Sequence, residues 1–389
     1  MKKAIILILA LASLTPAPAQ MHRYNTGFSV EEKNFADTIP VEFDDDQVYV
    51  PVKISGRTYR FCLDTGSSQG MLYEGSRVPV VQGLGSVVST DANGVKDTVG
   101  VAQVADFTLG RLHISGYVAS VVKKPAGRTA YDGIIGFDLF NKGIAAKIDP
   151  KHGRLILSDR KGFLDGEPGQ ELKYKLARFV PYIYISPFMR HTDLACFDTG
   201  ARQLYQMNRE HFLDHQYKSK QVSAQVEGRA TGYFTASTNS VEKPGEVYFL
   251  NLDRLKWNEF AFRNVRCLTT QGDSRVGSQI FNYGSVVILP RKKVLRFQSY
   301  NATDSVNVSN KQFGVAFINR DGLPAVGLIW HKSEAYKKGM RQGDVVLSID
   351  GKRVESYDDF AAMKTNEGQT RTLILRDTRG FNKEITITR

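Results

Sequence analysis

An internal repeat constrains this chain more than any other feature of its sequence. The segment FCLDTGS at residues 61–67 recurs as ACFDTGA at residues 195–201. Further along, GFDLFNKG at residues 136–143 is matched by GSQIFNYG at residues 277–284, at a similar distance from each aspartate. Because two separate segments recur in the same order, we predict a duplicated structural unit within one polypeptide.

Both units have the residue pattern of β-strands. Residues 48–54 and 57–63 alternate around Ser55-Gly56, which is typical of a β-hairpin, and residues 182–185 and 194–197 repeat this arrangement. One helix is predicted near residues 206–214, after the second repeat. The predicted fold class is therefore mainly β, with two duplicated lobes at residues 38–165 and 172–300.

A change of composition marks a further domain. After Asn301 a polar run of Asn, Ser, Thr and Asp has the character of a linker. Residues 311–389 then predict a small α+β domain, with short helices at 333–339 and 357–364 and strands at 345–349, 370–375 and 384–388. The linker composition suggests that this domain is separable from the lobes.

The N-terminus has the pattern of a signal peptide. Lys2 and Lys3 precede an apolar run from residue 4 to residue 14, and Ala17-Pro18-Ala19 supplies small residues for cleavage. We expect residues 1–19 to be removed, which implies export to a periplasmic or extracellular location with no integral membrane segment afterwards. An uncleaved N-terminal anchor is the alternative.

The composition argues against several classes of partner. The formal charge is +12, but the basic residues are scattered and form no nucleic-acid motif, so no nucleic-acid partner is expected. Three cysteines, Cys62, Cys196 and Cys267, are too few for a disulfide scaffold, and sequence leaves their redox state open. The seven histidines lack metal-ligand spacing, so neither a metal nor a cofactor is predicted.

Asp64 and Asp198 are the predicted catalytic residues. Two carboxylates held close together share one proton, so one can act as general base on a water while the other donates to a carbonyl. The remaining motif positions are predicted to support the pair: glycines permit close backbone approach, and threonine hydroxyls can lock the facing loops. These supporting residues are Thr65, Gly66, Ser67, Thr199, Gly200 and Ala201. We expect the Ser67 hydroxyl to donate to Asp64, a bond that Ala201 cannot make to Asp198.

On these motifs, residues 38–300 resemble the aspartic peptidase superfamily, which includes pepsin-like and retropepsin-like enzymes. The resemblance implies two β lobes facing across a cleft that binds extended peptides. The family has an apolar-apolar-Gly element after each loop, present here as Ile134-Ile135-Gly136, and in the second copy Arg275 takes the place of the first apolar residue. Pepsin-like enzymes usually have a tyrosine in the first-lobe flap, but the corresponding residues near 89–99 contain none. The short lobes favour a fused pair of retropepsin-like units, with flap tips at residues 91–94 and 227–230 unless these are ordinary surface hairpins.

Residues 311–389 resemble a PDZ domain of the bacterial envelope-protease type. The resemblance is carried by Ser333, Ala335, Gly339, Met340, Gly343, Asp344, Val346, Ile349 and Gly351. It implies that a peptide adds to a sheet edge, with Phe313, Gly314, Val315 and Ala316 as the binding loop. The alternative is a domain that only packs on the lobes.

The predicted function is therefore that of an exported aspartic endopeptidase, active as a monomer on polypeptide substrates. Its PDZ domain would recruit substrate or regulate access. The alternative is a peptide-binding protein that has the same fold and does not cleave.

Overall fold

The structure, a computed structural model, describes residues 24–91, 94–124, 131–233, 243–310, 314–363 and 368–388. The fold is mainly β, as predicted. Within these ranges no helix is both long enough and apolar enough to cross a membrane. The proposed signal peptide, residues 1–19, lies outside the described residues.

The first lobe is built from short strands on either side of the hairpin that the sequence predicts. Ser55 and Gly56 both have positive φ and form its turn. The strands are β1 (Ser29–Val30), β2 (Ala36–Pro40), β3 (Glu42–Asp44), β4 (Gln47–Ile54), β5 (Arg57–Leu63), β6 (Gly70–Tyr73), β7 (Val80–Thr90), β8 (Lys96–Val104), β9 (Phe107–Leu109), β10 (Leu112–Ser115), β11 (Val118–Val122), β12 (Gly133–Ile135), β13 (Ala145–Asp149) and β14 (Arg154–Ser158).

The second lobe repeats this architecture. Its strands are β15 (Gln170–Ala177), β16 (Val180–Phe188), β17 (His191–Asp198), β18 (Tyr205–Asn208), β19 (Val226–Gly232), β20 (Gly245–Trp257), β21 (Phe260–Thr270), β22 (Arg275–Gly277), β23 (Gly284–Leu289), β24 (Val294–Ser299) and β25 (Ser305–Asn307). The order β4-β5-β12-β6-β11-β8-β7 in the first lobe corresponds to β16-β17-β22-β18-β21-β20-β19 in the second. The duplication predicted from the motifs is thus visible in the strand topology.

A sheet shared by both lobes joins them beneath the repeated motifs. Its order is β15-β24-β23-β13-β14-β2, and β13 of the first lobe pairs antiparallel with β23 of the second. The register places Ala146 opposite Ile288 and Ile148 opposite Val286, all fully buried. One hydrophobic core therefore runs through both lobes.

Helices are few and short. Those with both ends inside the described residues are α1 (Asp138–Asn141), α2 (Arg209–Lys218), α3 (Lys220–Ser223), α4 (Glu334–Lys337) and α5 (Tyr357–Ala362), with 3-10 turns at Pro150–His152 and Ser278–Asn282. The helix predicted near residues 206–214 begins only at Arg209, because residues 205–208 form β18 between two other strands. Asn208 caps it by accepting a hydrogen bond from the His211 amide at 3.0 Å.

The C-terminal module has its own sheet and core. Its strands are β26 (Val315–Arg320), β27 (Leu323–Ile329), β28 (Val345–Ile349), β29 (Lys352–Arg353), β30 (Thr370–Arg376) and β31 (Asn382–Thr388), in the order β26-β27-β28-β30-β31. Ser333 caps helix α4 through the Tyr336 amide at 3.2 Å, and Gly339 follows the helix with φ of +103°. Both short helices of the module occur where the sequence predicts them.

The module packs directly against the second lobe. The Trp330 ring stacks on Phe249 of β20, with ring centroids 5.0 Å apart and planes 16° from parallel. The Tyr233 amide donates to the Gly327 carbonyl at 3.0 Å, and Leu328 joins the buried cluster around Phe249. Through these contacts the module covers part of the surface of the second lobe.

The segment predicted as a linker is also bound to the second lobe. Strand β25 pairs in parallel with β21, and Val306 and Val308 pack on the main core. Asn310 exchanges hydrogen bonds with the backbone of Arg266 at 2.8 and 2.9 Å. The prediction of a free linker from residue 301 is therefore wrong, because part of this polar segment is a strand that pairs with β21.

Candidate active site

Each Asp-Thr-Gly loop follows a strand that lies centrally in its lobe. Strand β5 pairs in parallel with β12, so that Leu63 lies opposite Ile135, and β17 pairs with β22 in the same way. The Asp64 amide donates to the Ile135 carbonyl at 3.0 Å, which fixes the start of the first loop. Burial of these strands on both sides explains their continuous apolar sequence.

The two threonines interlock the loops. The Thr65 amide donates to Thr199 Oγ1 and the Thr199 amide donates to Thr65 Oγ1, both at 3.0 Å. Each hydroxyl then donates across to the other lobe, Thr65 to the Phe197 carbonyl and Thr199 to the Leu63 carbonyl, both at 2.6 Å. Both threonines are fully buried. This reciprocal set of bonds holds the two aspartate-bearing loops in one fixed arrangement.

The carboxylates meet above this interlock. Asp64 Oδ1 accepts from the Gly66 amide at 2.9 Å, and Asp198 Oδ1 accepts from the Gly200 and Ala201 amides at 3.0 and 3.2 Å. A Cβ at Gly66 would lie 2.4 Å from Asp198 Cγ, and one at Gly200 would lie 2.4 Å from Asp64 Oδ2. Each carboxylate therefore lies against the glycine of the opposite loop, where no other residue fits.

Ser67 makes a different bond from the one that its sequence suggests. Its hydroxyl donates to the Gln69 carbonyl at 2.7 Å and not to the Asp64 carboxylate. The turn between β5 and β6 brings this carbonyl back over the serine, which sequence alone does not reveal. The prediction that Ser67 donates a hydrogen bond to Asp64, and that the two carboxylates differ for this reason, is therefore wrong.

One side chain supports each loop from below. In the first lobe, Asp138 is fully buried and accepts hydrogen bonds from the Gly70 amide at 3.1 Å and the Tyr117 hydroxyl at 3.0 Å. In the second, Gln279 occupies the matched place and accepts from the Leu204 amide at 3.1 Å. Burial raises the pKa of Asp138 to about 7, against 3.8 for an ordinary Asp. The downstream repeat of the sequence thus supplies the supports of the two loops.

Turns of each lobe also bind the other lobe's loop, which sequence reasoning missed. Gln47 Nε2 donates to the Gly200 carbonyl at 3.1 Å, and Arg202 forms an ion pair with Asp45 at 3.0 Å. Asn282 donates to Asp46 at 2.9 Å. Asp45 and Asp46 thus form a turn that contacts the second loop. Their positive φ values, 52° and 54°, are the signature of such a turn.

The repeat makes the opposite contact as well. Asn141, the residue matched to Asn282, donates to the Phe179 carbonyl in the second lobe at 2.9 Å. Phe179 and Arg178 both have positive φ and form the turn between β15 and β16. The repeated asparagines were the sequence signal for these contacts between the lobes.

One of the two proposed flaps lies at the tip of a hairpin. Strands β7 and β8 form it, and Gly94 donates to the Asp91 carbonyl at 2.9 Å in its turn; Ala92 and Asn93 lie outside the described residues. The second proposed tip, residues 227–230, is wrong, because these residues lie within β19 and pair with β20. The pairing of these two strands continues to Gly232, which lies opposite Gly245.

The proposed peptide-binding loop of the module lies next to its contact with the second lobe. Phe313 lies outside the described residues. The Gly314 carbonyl accepts from the Trp330 amide at 2.7 Å, and Ala316 packs in the cluster around Phe249. Val315 begins β26, which lies at the end of its sheet. The binding role of these residues stays a prediction.

The structure also describes the cysteines and one group of metal-ligating side chains. The three cysteines are buried as thiols and form no disulfide. Among the described residues, one group brings three ligand atoms together, namely Glu31, Glu32 and His113 on the surface of the first lobe. His113 Nδ1 already bonds to Glu32 at 2.5 Å, a pairing that explains the cluster without an ion.

Solved structures match this chain at low sequence identity. An aspartic proteinase from Irpex lacteus is 14% identical, with a TM-score of 0.44 over 68% of this chain and 97% of that one. Basic 7S globulin from soybean is 12% identical, with a TM-score of 0.40 over 69% and 96%. Conglutin gamma from lupine seeds is 10% identical, with a TM-score of 0.42 over 69% and 96%.

No curated protein matches the chain. A family model does. Residues 50–139, which include the first Asp-Thr-Gly loop, β12 and the start of α1, match the model of the aspartyl proteases.

Proposed function

We propose that this protein is an endopeptidase that hydrolyses peptide bonds with Asp64 and Asp198. The observation that carries the proposal is the placement of each carboxylate against the glycine of the opposite loop, above the threonine interlock. The family match over residues 50–139 supports it independently. Two loops from one chain complete the pair, so the active species is a monomer.

The carboxylates act as one unit. Two like charges in contact cannot both be ionised easily, so the pair retains one proton over a wide pH range. The ionised carboxylate takes a proton from a water as that water attacks the peptide carbonyl. The protonated carboxyl donates to the carbonyl oxygen, and proton transfer to the departing nitrogen completes the cleavage. The backbone amides of Gly66 and Gly200 hold one oxygen of each carboxylate throughout.

Point substitution of the pair tests this function. Asp64→Asn and Asp198→Asn should each abolish cleavage of a diverse peptide mixture, because the losses within one catalytic unit are not additive. Thermal unfolding should show that both variants remain folded. Wild-type activity per chain should stay constant on dilution. If either variant keeps most of its activity, the assignment of the catalytic pair is wrong. If wild type binds peptides without cleaving them, a non-catalytic peptide-binding role is correct.

We also propose that residues 1–19 direct export to a periplasmic or extracellular location. The basic and apolar N-terminal sequence supports this proposal. Mass spectrometry of the exported fraction tests it, and the expected mature N-terminus lies near Gln20.

We further propose that the C-terminal module is a PDZ domain that recruits polypeptides. In its support, β26 lies at a sheet edge beside Gly314, where φ is +70°. Peptide binding by Val315→Pro protein tests this proposal, since proline removes an edge amide.

A further inference from the structure

We infer that the two walls of the cleft select different substrate side chains, a large apolar one on the first lobe and an acidic one on the second. This inference rests on the proposed peptidase function and specifies its substrate class. It follows from a row of matched residues that crosses the sheet of each lobe, beside the Asp-Thr-Gly loop.

The first wall is the row Tyr49, Cys62, Ile134 and Met71. The register pairs Cys62 with both Tyr49 and Ile134, and Ile134 with Met71. Directly paired residues project from the same face of a sheet. This face is separate from the main core, since it forms its own apolar cluster with Tyr73, Val99, Tyr131 and Val122. The neighbouring residues of the strands, Leu63 and Ile135, enter the main core instead.

The second wall is the matched row Tyr182, Cys196, Arg275 and Gln206. Cys196 pairs with both Tyr182 and Arg275, and Arg275 pairs with Gln206. The register therefore places Arg275 where the first lobe has Ile134, and Gln206 where it has Met71. Arg275 is 6% exposed and Gln206 is 3% exposed. At these two positions the first lobe therefore has apolar residues and the second lobe has polar ones.

Further charges surround the second wall. Arg178 forms an ion pair with Asp273 at 2.7 Å, and the Tyr182 hydroxyl donates to the same carboxylate at 2.6 Å. Arg275 Nε donates to the Asp273 backbone carbonyl at 3.4 Å. Two guanidinium groups and one carboxylate therefore lie at this wall.

The second wall lies beside the catalytic pair. Burial raises the pKa of the Cys196 thiol, and so do the charges of Asp198 and of Asp64 from the other lobe, whereas Arg275 acts in the opposite direction. Cys196 is thus within electrostatic reach of both carboxylates and of the Arg275 guanidinium. A peptide held at the pair must pass along this row.

These compositions give opposite preferences. An apolar substrate side chain on the second wall would remove water from polar groups and offer no hydrogen bond in return, which costs free energy. A substrate carboxylate there gains charge-assisted hydrogen bonds. On the first wall, contact with tyrosine, isoleucine and methionine favours an aromatic or large aliphatic side chain.

Cleavage of designed peptides tests this inference. The probes are decapeptides with a central Phe-Glu or Glu-Phe pair, since either orientation is chemically possible, together with versions that carry Leu in place of Glu. Wild type should cleave one acidic peptide faster than its Leu version. Arg275→Ile should lower the ratio of kcat/KM for that acidic peptide to kcat/KM for its Leu version by about 10- to 100-fold, the effect of losing a hydrogen bond to a charged group.

Matched variants complete the experiment. Arg275→Lys should retain the acidic preference, and Arg263→Gln, which removes an exposed charge from the same lobe, should leave it unchanged. If Arg275→Ile fails to fold, Arg275→Gln replaces it. Binding of the same peptides to Asp64→Asn protein, measured by fluorescence anisotropy, tests the walls independently of catalysis. Equal affinity for acidic and Leu peptides, or a preference that Arg275→Ile does not change, would overturn the inference, whereas preferential binding without any cleavage would overturn only the proposed function.

Discussion

Asp138, which lies beneath the first Asp-Thr-Gly loop, is a residue whose ionisation affects stability. Its carboxyl is fully buried and binds the Gly70 amide and the Tyr117 hydroxyl. Burial raises its pKa from 3.8 to about 7, so the folded chain holds this proton more tightly than the unfolded chain does. The resulting stabilisation is complete below the unfolded pKa and is lost as the pH rises through about 7.

We therefore expect Asp138→Asn to flatten the pH dependence of stability. Between pH 4 and pH 8, the free energy of unfolding should fall less in the variant than in wild type. Gln279, which supports the second loop with an amide, shows that an uncharged group can fill such a place. Urea unfolding at several pH values measures the effect, with Asp106→Asn as the control at an exposed carboxylate. Parallel curves for wild type and Asp138→Asn would contradict this assignment.

The hydroxyl of Ser67 leads to a second prediction at the same scale. Because this hydroxyl donates to the Gln69 carbonyl, a serine at the matched position 201 should donate to the Gln203 carbonyl rather than to Asp198. A Cβ at Gly277 would touch the Gln203 and Ala201 carbonyls, so the turn has the same form in both lobes. Ala201→Ser should leave the pH profile of kcat/KM in place. A shift toward lower pH would show that the new hydroxyl reaches the carboxylate.

At the scale of elements, the hairpin β19–β20 differs from its counterpart β7–β8 because the C-terminal module lies on it. A Cβ at Gly228 would lie 2.3 Å from Trp330 Nε1, and one at Gly232 would lie 2.2 Å from the Gly327 carbonyl oxygen. Gly83, in the counterpart strand β7, has nothing within 4 Å of such a Cβ. These glycines mark the surface where the module contacts the second lobe.

Gly232→Ala should displace the module, because the new Cβ would clash with the Gly327 carbonyl oxygen, and a backbone atom cannot move without the strand that contains it. The expected result is faster proteolysis between the second lobe and β26, together with greater solvent exposure of Trp330. Intrinsic tryptophan fluorescence and limited proteolysis measure these changes. Gly83→Ala is the matched control and should behave as wild type. Indistinguishable behaviour of the two variants would show that the module does not depend on this contact.

The sequence predicted elements better than it predicted contacts between them. The Ser55-Gly56 hairpin, both Asp-Thr-Gly loops and the short helices of the module follow from turn residues and local patterns. The second flap tip was misplaced because β19 contains Gly-Arg inside a strand, where the glycine serves close packing against Trp330. Contacts such as Gln47 with the Gly200 carbonyl join residues far apart in sequence, and no local pattern encodes them.

At the scale of the whole molecule, the module is attached through both β25 and the Trp330 contact. Removal from residue 305 onward, as the polar composition suggests, would strip β25 from β21 and expose part of the core. A chain that ends at Asn310 keeps this strand and the bonds to Arg266. It nevertheless exposes Val247, which is only 4% exposed in the complete protein, and Phe249, which is fully buried there.

We expect the chain that ends at Asn310 to remain folded and to cleave short peptides, but to unfold at a lower temperature and to aggregate more readily. Exposure of apolar surface on β20 is the physical cause. Phe249→Gln in the truncated chain should restore solubility, because it makes the exposed strand polar. Calorimetry and light scattering measure the two effects. A truncated chain as stable and soluble as the full protein would show that the contact contributes little.

The sheet shared between the lobes also determines how the chain can fold. Strand β13 finds its partner β23 only after nearly the whole second lobe has followed it along the chain. Until then, β13 has an unpaired edge whose apolar residues lack half of their final neighbours. Pairings of such long sequence separation slow folding, since loop closure precedes any stabilising contact. Either lobe expressed alone would retain this open edge, so we expect neither copy of the repeat to fold by itself.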